Sequence, residues 1–512
     1  MVDFLKEVSP REYQQKIAET CIKNNCLVVI PTGLGKTLIA LIVTIERMKQ
    51  FPGEKVLFLA PTKPLAEQHF KYFKKHLPEL FAEMNLFTGD INAATRKKIW
   101  QNTEIIFSTP QCIANDLKNR LYNLNDVCLL IEDEAHRCLK NYDYTSVAYA
   151  YKAQAQNQRI IGLTASPGSE KWKIQQICKN LSIEEVELRT RDSEDVAKYL
   201  QEITFEKVPL EFPPEFEVVR NQLKKIFNRC VEQLRAKSLL FGSASKTELI
   251  NLQKKISMSL SSGNKDFAYI AGASICAQAL KMQHALELLE TQTLSGFIGY
   301  MKDLQSQAEK KQSKGVIKLV ETPEFQAALK VAENIFSQGI EHPKIGKTIE
   351  IIKKEEGAKV IIFTQFRDTA SILSKKINEV LKLKSKMFVG QAKKKDSGLN
   401  QKEQRKMLDE FSAGEIDVLC ATCIGEEGID IPEVNIVIFY EPVASAIRTI
   451  QRAGRTARLM KGKLIILVTK NTRDESYYYV ARAKEKKMYS AISSIKEDLK
   501  NKGEEQKTFK NF

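Results

Sequence analysis

The sequence predicts an α/β chain of two parallel-sheet domains with an all-helical insert between them. Three observations predict it. Short apolar strands alternate with helical stretches over residues 1–205, the alternation resumes over 339–490, and strand signals are scarce in 206–338. A length of 512 residues also exceeds one ordinary core and calls for two to three domains.

In the first domain the apolar runs at 28–30, 56–59, 105–107, 127–131 and 160–163 read as strands buried on both faces. The first leads into Ile30-Pro31-Thr32-Gly33-Leu34-Gly35-Lys36-Thr37, and Leu38 to Ile42 then reads as a helix start. A strand, a glycine-bearing loop and a helix form the context of a phosphate-binding loop. Gly33 and Gly35 let backbone N–H groups turn inward around an anion, and the helix N-terminus adds partial positive charge. Lys36 is placed to reach the β- and γ-phosphates of ATP, and the Thr37 hydroxyl to bind Mg²⁺. The strict pattern has a glycine where this chain has Ile30. Further on, Leu129-Leu130-Ile131-Glu132-Asp133-Glu134-Ala135-His136 delivers carboxylates to the C-terminal end of a strand. Asp133 suits Mg²⁺, and Glu134 suits orienting and deprotonating an attacking water.

Past Pro213-Pro214 the pattern changes. Phe216, Val219, Leu223, Ile226, Phe227, Cys230 and Leu234 repeat at three- and four-residue spacing, which makes one helix face. After His342-Pro343 the strands return at 360–364, 418–421, 436–439 and 464–468. Residues 491–512 are polar and are expected to form a mobile tail.

A formal charge of +16 favours a polyanionic partner, most simply nucleic acid. No apolar run reaches the ~18 residues of a membrane span, and Met1 to Gln15 lack the apolar core of a signal peptide. The expectation is a soluble intracellular, chromosome-associated protein. The ten cysteines are scattered, and Cys420 and Cys423 form one Cys-x-x-Cys without a second pair at zinc spacing, so core packing is expected.

With these residues in view, the chain resembles the superfamily 2 DEAH-box helicases, whose two motor domains are RecA-like. Asp133-Glu134-Ala135-His136 is similar to their nucleotide-hydrolysis box, and Thr164-Ala165-Ser166-Pro167 to the box that couples hydrolysis to nucleic acid. Gln451-Arg452-Ala453-Gly454-Arg455-Thr456-Ala457-Arg458 resembles the arginine-finger helix, with Ala457 where the family has glycine. The resemblance implies that Gln451, Arg455 and Arg458 reach the γ-phosphate from the second domain. It implies that Gly428 and Asp430 touch ribose and position the finger. Arg11-Glu12-Tyr13-Gln14 resembles the adenine-reading element, with Gln14 either pairing two edges of the base or capping its helix. Thr62, Lys63, Gly89 and Thr109 in the first domain, and Thr364, Gln391 and Thr422 in the second, match positions that contact nucleic acid.

Leu34-Gly35-Lys36-Thr37, the Ala60 to Pro64 box, Val389-Gly390-Gln391, Gly425 to Gly428 and Tyr440-Glu441-Pro442 narrow the resemblance to the archaeal Hef fork-DNA helicase and Fanconi anaemia group M translocase group. That group implies an ATP-dependent DNA helicase or translocase acting on forks or junctions in replication-fork repair or recombination. By analogy the basic insert, with Lys224-Lys225, Lys254-Lys255 and Lys310-Lys311, grips duplex DNA near a branch. The alternatives are an RNA helicase or double-stranded-RNA-dependent ATPase of the same superfamily, and a nucleotide-gated scaffold without turnover. The nuclease box Glu-Arg-Lys-x-x-x-Asp of archaeal Hef is absent, so no strand cleavage is expected and a nuclease would be a separate partner. Gln506, Phe509 and Phe512 resemble a sliding-clamp-binding peptide, with Phe509 in place of the usual Leu, Ile or Met.

Overall fold

The computed structural model describes residues 4–199, 203–263, 266–390, 398–422, 432, 434–443 and 462–510, with 502–510 described as helical backbone alone. Two wholly parallel sheets carry the molecule. The first comprises β1 Cys26–Val29, β2 Lys55–Leu59, β3 Met84–Phe87, β4 Ile105–Ser108, β5 Val127–Asp133, β6 Ile160–Thr164 and β7 Glu185–Leu188, in the order β3-β4-β2-β5-β6-β1-β7. Its central strands are buried on both faces, which is why they read as unbroken apolar runs. The second comprises β8 Ile203–Leu210, β9 Val360–Phe363, β10 Ser385–Phe388, β11 Val418–Ala421, β12 Ile436–Phe439 and β13 Gly462–Thr469, in the order β10-β11-β9-β12-β13-β8.

β8 moves a boundary. The sequence closes the first domain at 205 and opens the insert at 206. Instead, all eight residues of β8 pair in parallel with β13, so 203–210 belongs to the second sheet. It is an edge strand with Thr204, Phe205 and Glu206 all exposed, which hides it from an apolar-run reading.

Six helices follow among the described residues, Pro214–Ala236, Lys246–Ser261, Phe267–Thr291, Leu294–Glu309, Lys314–Val320 and Pro323–Ser337. They share a core that includes Phe216, Leu223, Met282, Phe297, Leu319 and Phe325. Lys224, Lys225, Lys254, Lys255, Lys310 and Lys311 are exposed on their outside.

The insert is fastened to the second sheet through buried polar contacts. Lys344 Nζ, fully buried, pairs with Asp474 at 2.5 Å and donates to Thr291 O at 3.0 Å. Gln292 Oε1 accepts from Thr364 Oγ1 at 3.3 Å and from Thr369 Oγ1 at 2.8 Å. Arg473 donates to Gln283 O, and Arg220 to Asn471 O.

The C-terminus departs from the mobile tail expected over 491–512. One helix runs Arg473–Lys510, and Ala491, Ile492 and Ile495 are buried in the core of the first sheet. Burial of this apolar face holds a stretch that its polar composition leaves unannounced. The same helix begins on the second sheet, where Tyr478 joins the core.

Candidate nucleotide site and nucleic-acid face

Strand order assembles the site. β5, β6 and β1 are neighbours, with Asp133 opposite Leu163 and Thr164 opposite Val29. The loops that leave these three C-terminal ends therefore share one rim, where open α/β sheets bind ligands.

The loop after β1 turns through Gly33 at φ 87° and Gly35 at φ 80° into helix Lys36–Gln50. A side chain at Gly35 would be strained by that φ, and its Cβ would collide with Gln14 Nε2. The helix has no side-chain cap and no acidic residue in its first turn, which leaves its N–H groups open to an anion. Lys36 Nζ and Thr32 Oγ1 are buried without a hydrogen-bond partner among the described residues. Buried polar atoms are normally satisfied, so two orphans at one uncapped helix start fit a phosphate chain. Gln14 sits behind the loop. Its Nε2 donates to Leu34 O at 3.0 Å and its Oε1 accepts from Arg11 N at 2.8 Å. Of its two expected roles, the amide as placed performs the capping one and also braces the loop.

Asp133 ends β5, nearly fully buried. Its Oδ2 lies 2.8 Å from His69 Nε2, and His69 Nδ1 lies 3.4 Å from Thr37 Oγ1. Burial by itself pushes the Asp133 carboxyl up, but the His69 contact and the Lys36 charge hold it below its ordinary range. Glu134 follows at φ 51°, a left-handed conformation uncommon outside glycine, which turns its side chain away from the strand direction. Glu134 Oε2 is buried without a hydrogen bond, 3.2 Å from His136 Nδ1. His136 Nδ1 also lies 3.2 Å from Thr164 Oγ1, which links the acidic box to the turn after β6. Tyr144 donates its hydroxyl to Asp133 O at 2.6 Å and pins the strand end.

His69 was not legible as a site residue. It belongs to helix Lys63–His76, whose inward face carries Ala66, His69, Phe73 and His76. A polar ring on the core-facing stripe of the helix after β2, itself the neighbour of β5, was the available signal.

The positions matched to nucleic-acid contacts divide. Thr62 and Thr109 stand at the N-termini of helices Lys63–His76 and Pro110–Lys118 without capping them, and the Thr62 hydroxyl is buried and unpartnered. Lys63 pairs with Asp90, next to the exposed Gly89. Arg96 locks this face. It grips Asp116 through Nη2 at 2.5 Å and Nε at 2.7 Å, and donates to Thr88 O at 3.4 Å and to Ile91 O. The Gly89 turn is thereby tied to the helix that begins after Thr109. Thr364 departs from the expectation. It is fully buried, and its hydroxyl is spent on Gln292 of the insert. Thr422 is also buried, with its N–H donating to Phe388 O. Gln391, Cys423, Gly428, Asp430, Gln451, Arg455, Arg458, Phe512 and the side chains of Gln506 and Phe509 lie outside the described residues. Cys420 is buried in the core, and no cluster of three or more His, Cys, Asp or Glu placed to hold a metal occurs among the described residues. No helix among them is long and apolar enough to cross a membrane.

Comparison with known proteins agrees with this arrangement. The DEAD/DEAH box helicase family model matches residues 11–173 and the helicase conserved C-terminal domain model matches 343–460. A model described as "Putative ATP-dependent RNA helicase, helical bundle" matches 215–336. The crystal structure of the Pyrococcus furiosus Hef helicase domain superposes with a TM-score of 0.70 at 41% identity, covering 92% of this chain and 98% of that one. "Putative ATP-dependent RNA helicase MJ1505" of Methanocaldococcus jannaschii is 37% identical over 96% of this chain and 61% of that protein. The ATP-dependent DNA helicase mph1 of Sclerotinia sclerotiorum is 31% identical over 91% of this chain and 40% of its own length. The Fanconi anemia group M protein homolog of Mus musculus is 30% identical over 96% of this chain and 26% of its own length. The chain thus spans less than two thirds of these curated relatives. Two parallel sheets, a helical bundle between them and a phosphate loop beside an acidic box, matched along nearly the whole Hef motor, establish that this chain belongs to the superfamily 2 DEAD/DEAH-box helicases, in the family of the Hef helicase domain.

Proposed function

We propose that the protein is an ATP-driven DNA helicase or translocase that acts on forks or junctions. One observation carries the nucleotide reading: Lys36 Nζ and Thr32 Oγ1 are buried and unpartnered at an uncapped helix start, on the same rim as Asp133 and Glu134. Lys36 and the first-turn N–H groups hold the terminal phosphates. Thr37 and Asp133 hold Mg²⁺, which when bound offsets charge on the transferring phosphoryl group. Glu134 accepts a proton from the attacking water, and His136 links that event to Thr164. Arg455 and Arg458 supply charge from the second domain, Gln451 offers a neutral amide beside them, and Gly428 and Asp430 position them. Thr62, Lys63, Gly89 and Thr109 take the strand backbone without reading sequence.

The choice of DNA over RNA follows the name of the mph1 relative, an ATP-dependent DNA helicase, against the RNA in the name of MJ1505. The exposed lysine pairs of the insert are the surface proposed to hold duplex near the branch. The 506–512 peptide is proposed as a separate tether to a sliding clamp, outside the motor itself.

Two measurements test the proposal. Lys36→Ala lowers ATP hydrolysis by roughly 10²–10³ or more; unchanged turnover would remove the site assignment. ATPase rates with single strand, duplex, fork, four-way junction and double-stranded RNA then read the substrate. Forks or junctions giving the highest rate supports the proposal, and RNA giving it transfers the motor to RNA.

A further inference from the structure

Resting on the nucleotide reading above, we propose that His69 is the positioning residue of the metal site and sets its affinity. The ring spans the two side chains assigned to Mg²⁺, with Nε2 2.8 Å from Asp133 Oδ2 and Nδ1 3.4 Å from Thr37 Oγ1. It is 6% exposed and lies against Phe58, ring centroids 4.4 Å apart at 31°, so its plane is fixed by packing.

The partners dictate the tautomer. An ionised carboxylate only accepts, so Nε2 carries the proton and donates to Asp133. With Nε2 protonated and Nδ1 bare, Nδ1 accepts a hydrogen bond from the Thr37 hydroxyl. The consequence for a cation is direct. With its hydrogen drawn toward Nδ1, Thr37 Oγ1 keeps its lone pairs for the metal. With Oδ2 bound to the ring, the Asp133 carboxylate is held in one orientation. One imidazole thus orients a ligand from helix Lys36–Gln50 and a ligand from β5. Such outer partners typically change metal affinity by 10–100-fold when removed.

The test measures metal affinity without turnover. A fluorescent ADP analogue is titrated onto the full chain, first in EDTA and then with increasing Mg²⁺. In His69→Ala the Mg²⁺ concentration for half-maximal effect should rise about 10–100-fold. In His69→Gln, whose amide also offers one donor and one acceptor, most of the loss should be recovered. An unchanged Mg²⁺ midpoint in His69→Ala would overturn the proposal. Equal losses in Ala and Gln, tracking a fall in melting temperature, would also overturn it, because they assign the ring to packing on Phe58. Binding of the analogue by the unmodified chain at saturating Mg²⁺ separates the two readings: its absence removes the nucleotide site itself, whereas its presence with an indifferent His69→Ala removes only the role of His69.

Discussion

Thr62 and Thr364 each follow a central strand, β2 in the first sheet and β9 in the second, yet they do opposite things. Thr62 keeps a buried hydroxyl with no partner, whereas Thr364 gives its hydroxyl to Gln292 of the insert. The contrast extends along part of both rims, while Tyr440 and Thr469, at the ends of β12 and β13, each hold a buried hydroxyl without a partner. On the first, Thr32 and Lys36 also hold orphaned polar atoms. On the second, Thr369, Lys344 and Arg473 are consumed by contacts to the insert. A polar strand end is therefore not by itself a ligand contact. What matters is whether the fold has already satisfied it.

The contrast can be broken most severely at Lys344. Lys344→Met leaves Asp474 as an uncompensated buried charge and should cost about 3–5 kcal/mol, read by urea unfolding. Pairing it with Asp474→Leu should recover most of that loss, since the charge is then gone. A single variant as stable as the parent would mean that the insert is held by apolar packing alone.

A middle-sized effect of opposite sign is expected at Glu132. This side chain is fully buried in β5 with neither oxygen in hydrogen-bond geometry. Burial, offset in part by Cys138 and Lys152, pushes its carboxyl well above the ordinary range. A group with a raised folded-state pKa binds more protons folded than unfolded. Its stability is full below the ordinary carboxylate value, about 4.3, and falls as pH rises toward the folded value. Glu132→Leu should raise stability near neutral pH by about 1–3 kcal/mol and flatten the decline that begins above the ordinary carboxylate value. Parallel pH profiles of the two proteins would contradict this.

The smallest effect sharpens the contrast most. Thr364→Val should cost about 1 kcal/mol through the lost bond to Gln292 and leave the half-saturating DNA concentration of the ATPase unchanged. Thr62→Val removes a hydroxyl that has no partner, so stability should hold or rise slightly while half-saturating DNA increases. If both variants weaken DNA binding equally, the buried state of Thr364 does not describe the working motor.

These cases show what was legible. The nine strands read from apolar runs are the interior ones, because burial on both faces excludes polar residues. The four strands not read, β3, β7, β8 and β10, are the four sheet edges. Each carries half-exposed or exposed polar positions, Asn85 and Glu185 of the first kind and Glu206 and Lys386 of the second, so no run survives. The phosphate loop and the acidic box were legible because their chemistry is contiguous in sequence. His69 was not, because its meaning arises only when β2 lies beside β5 and its helix faces inward. Thr364 misled for the converse reason: its partner Gln292 is 72 residues away.

The helix Arg473–Lys510 has a mechanical consequence. Tyr478 seats it in the core of one sheet and Met488 in the core of the other, ten residues or about 15 Å along its axis. Ser166, inside the box after β6, donates to Met488 Sδ at 2.9 Å. A hydrogen-bonded rod of that length bends and rolls more readily than it stretches. The two sheets are thereby joined by a link of nearly fixed length, and swinging is open to them where pulling apart is not. The pivot of that swing bears on the end of β6, where Thr164 meets His136 of the acidic box.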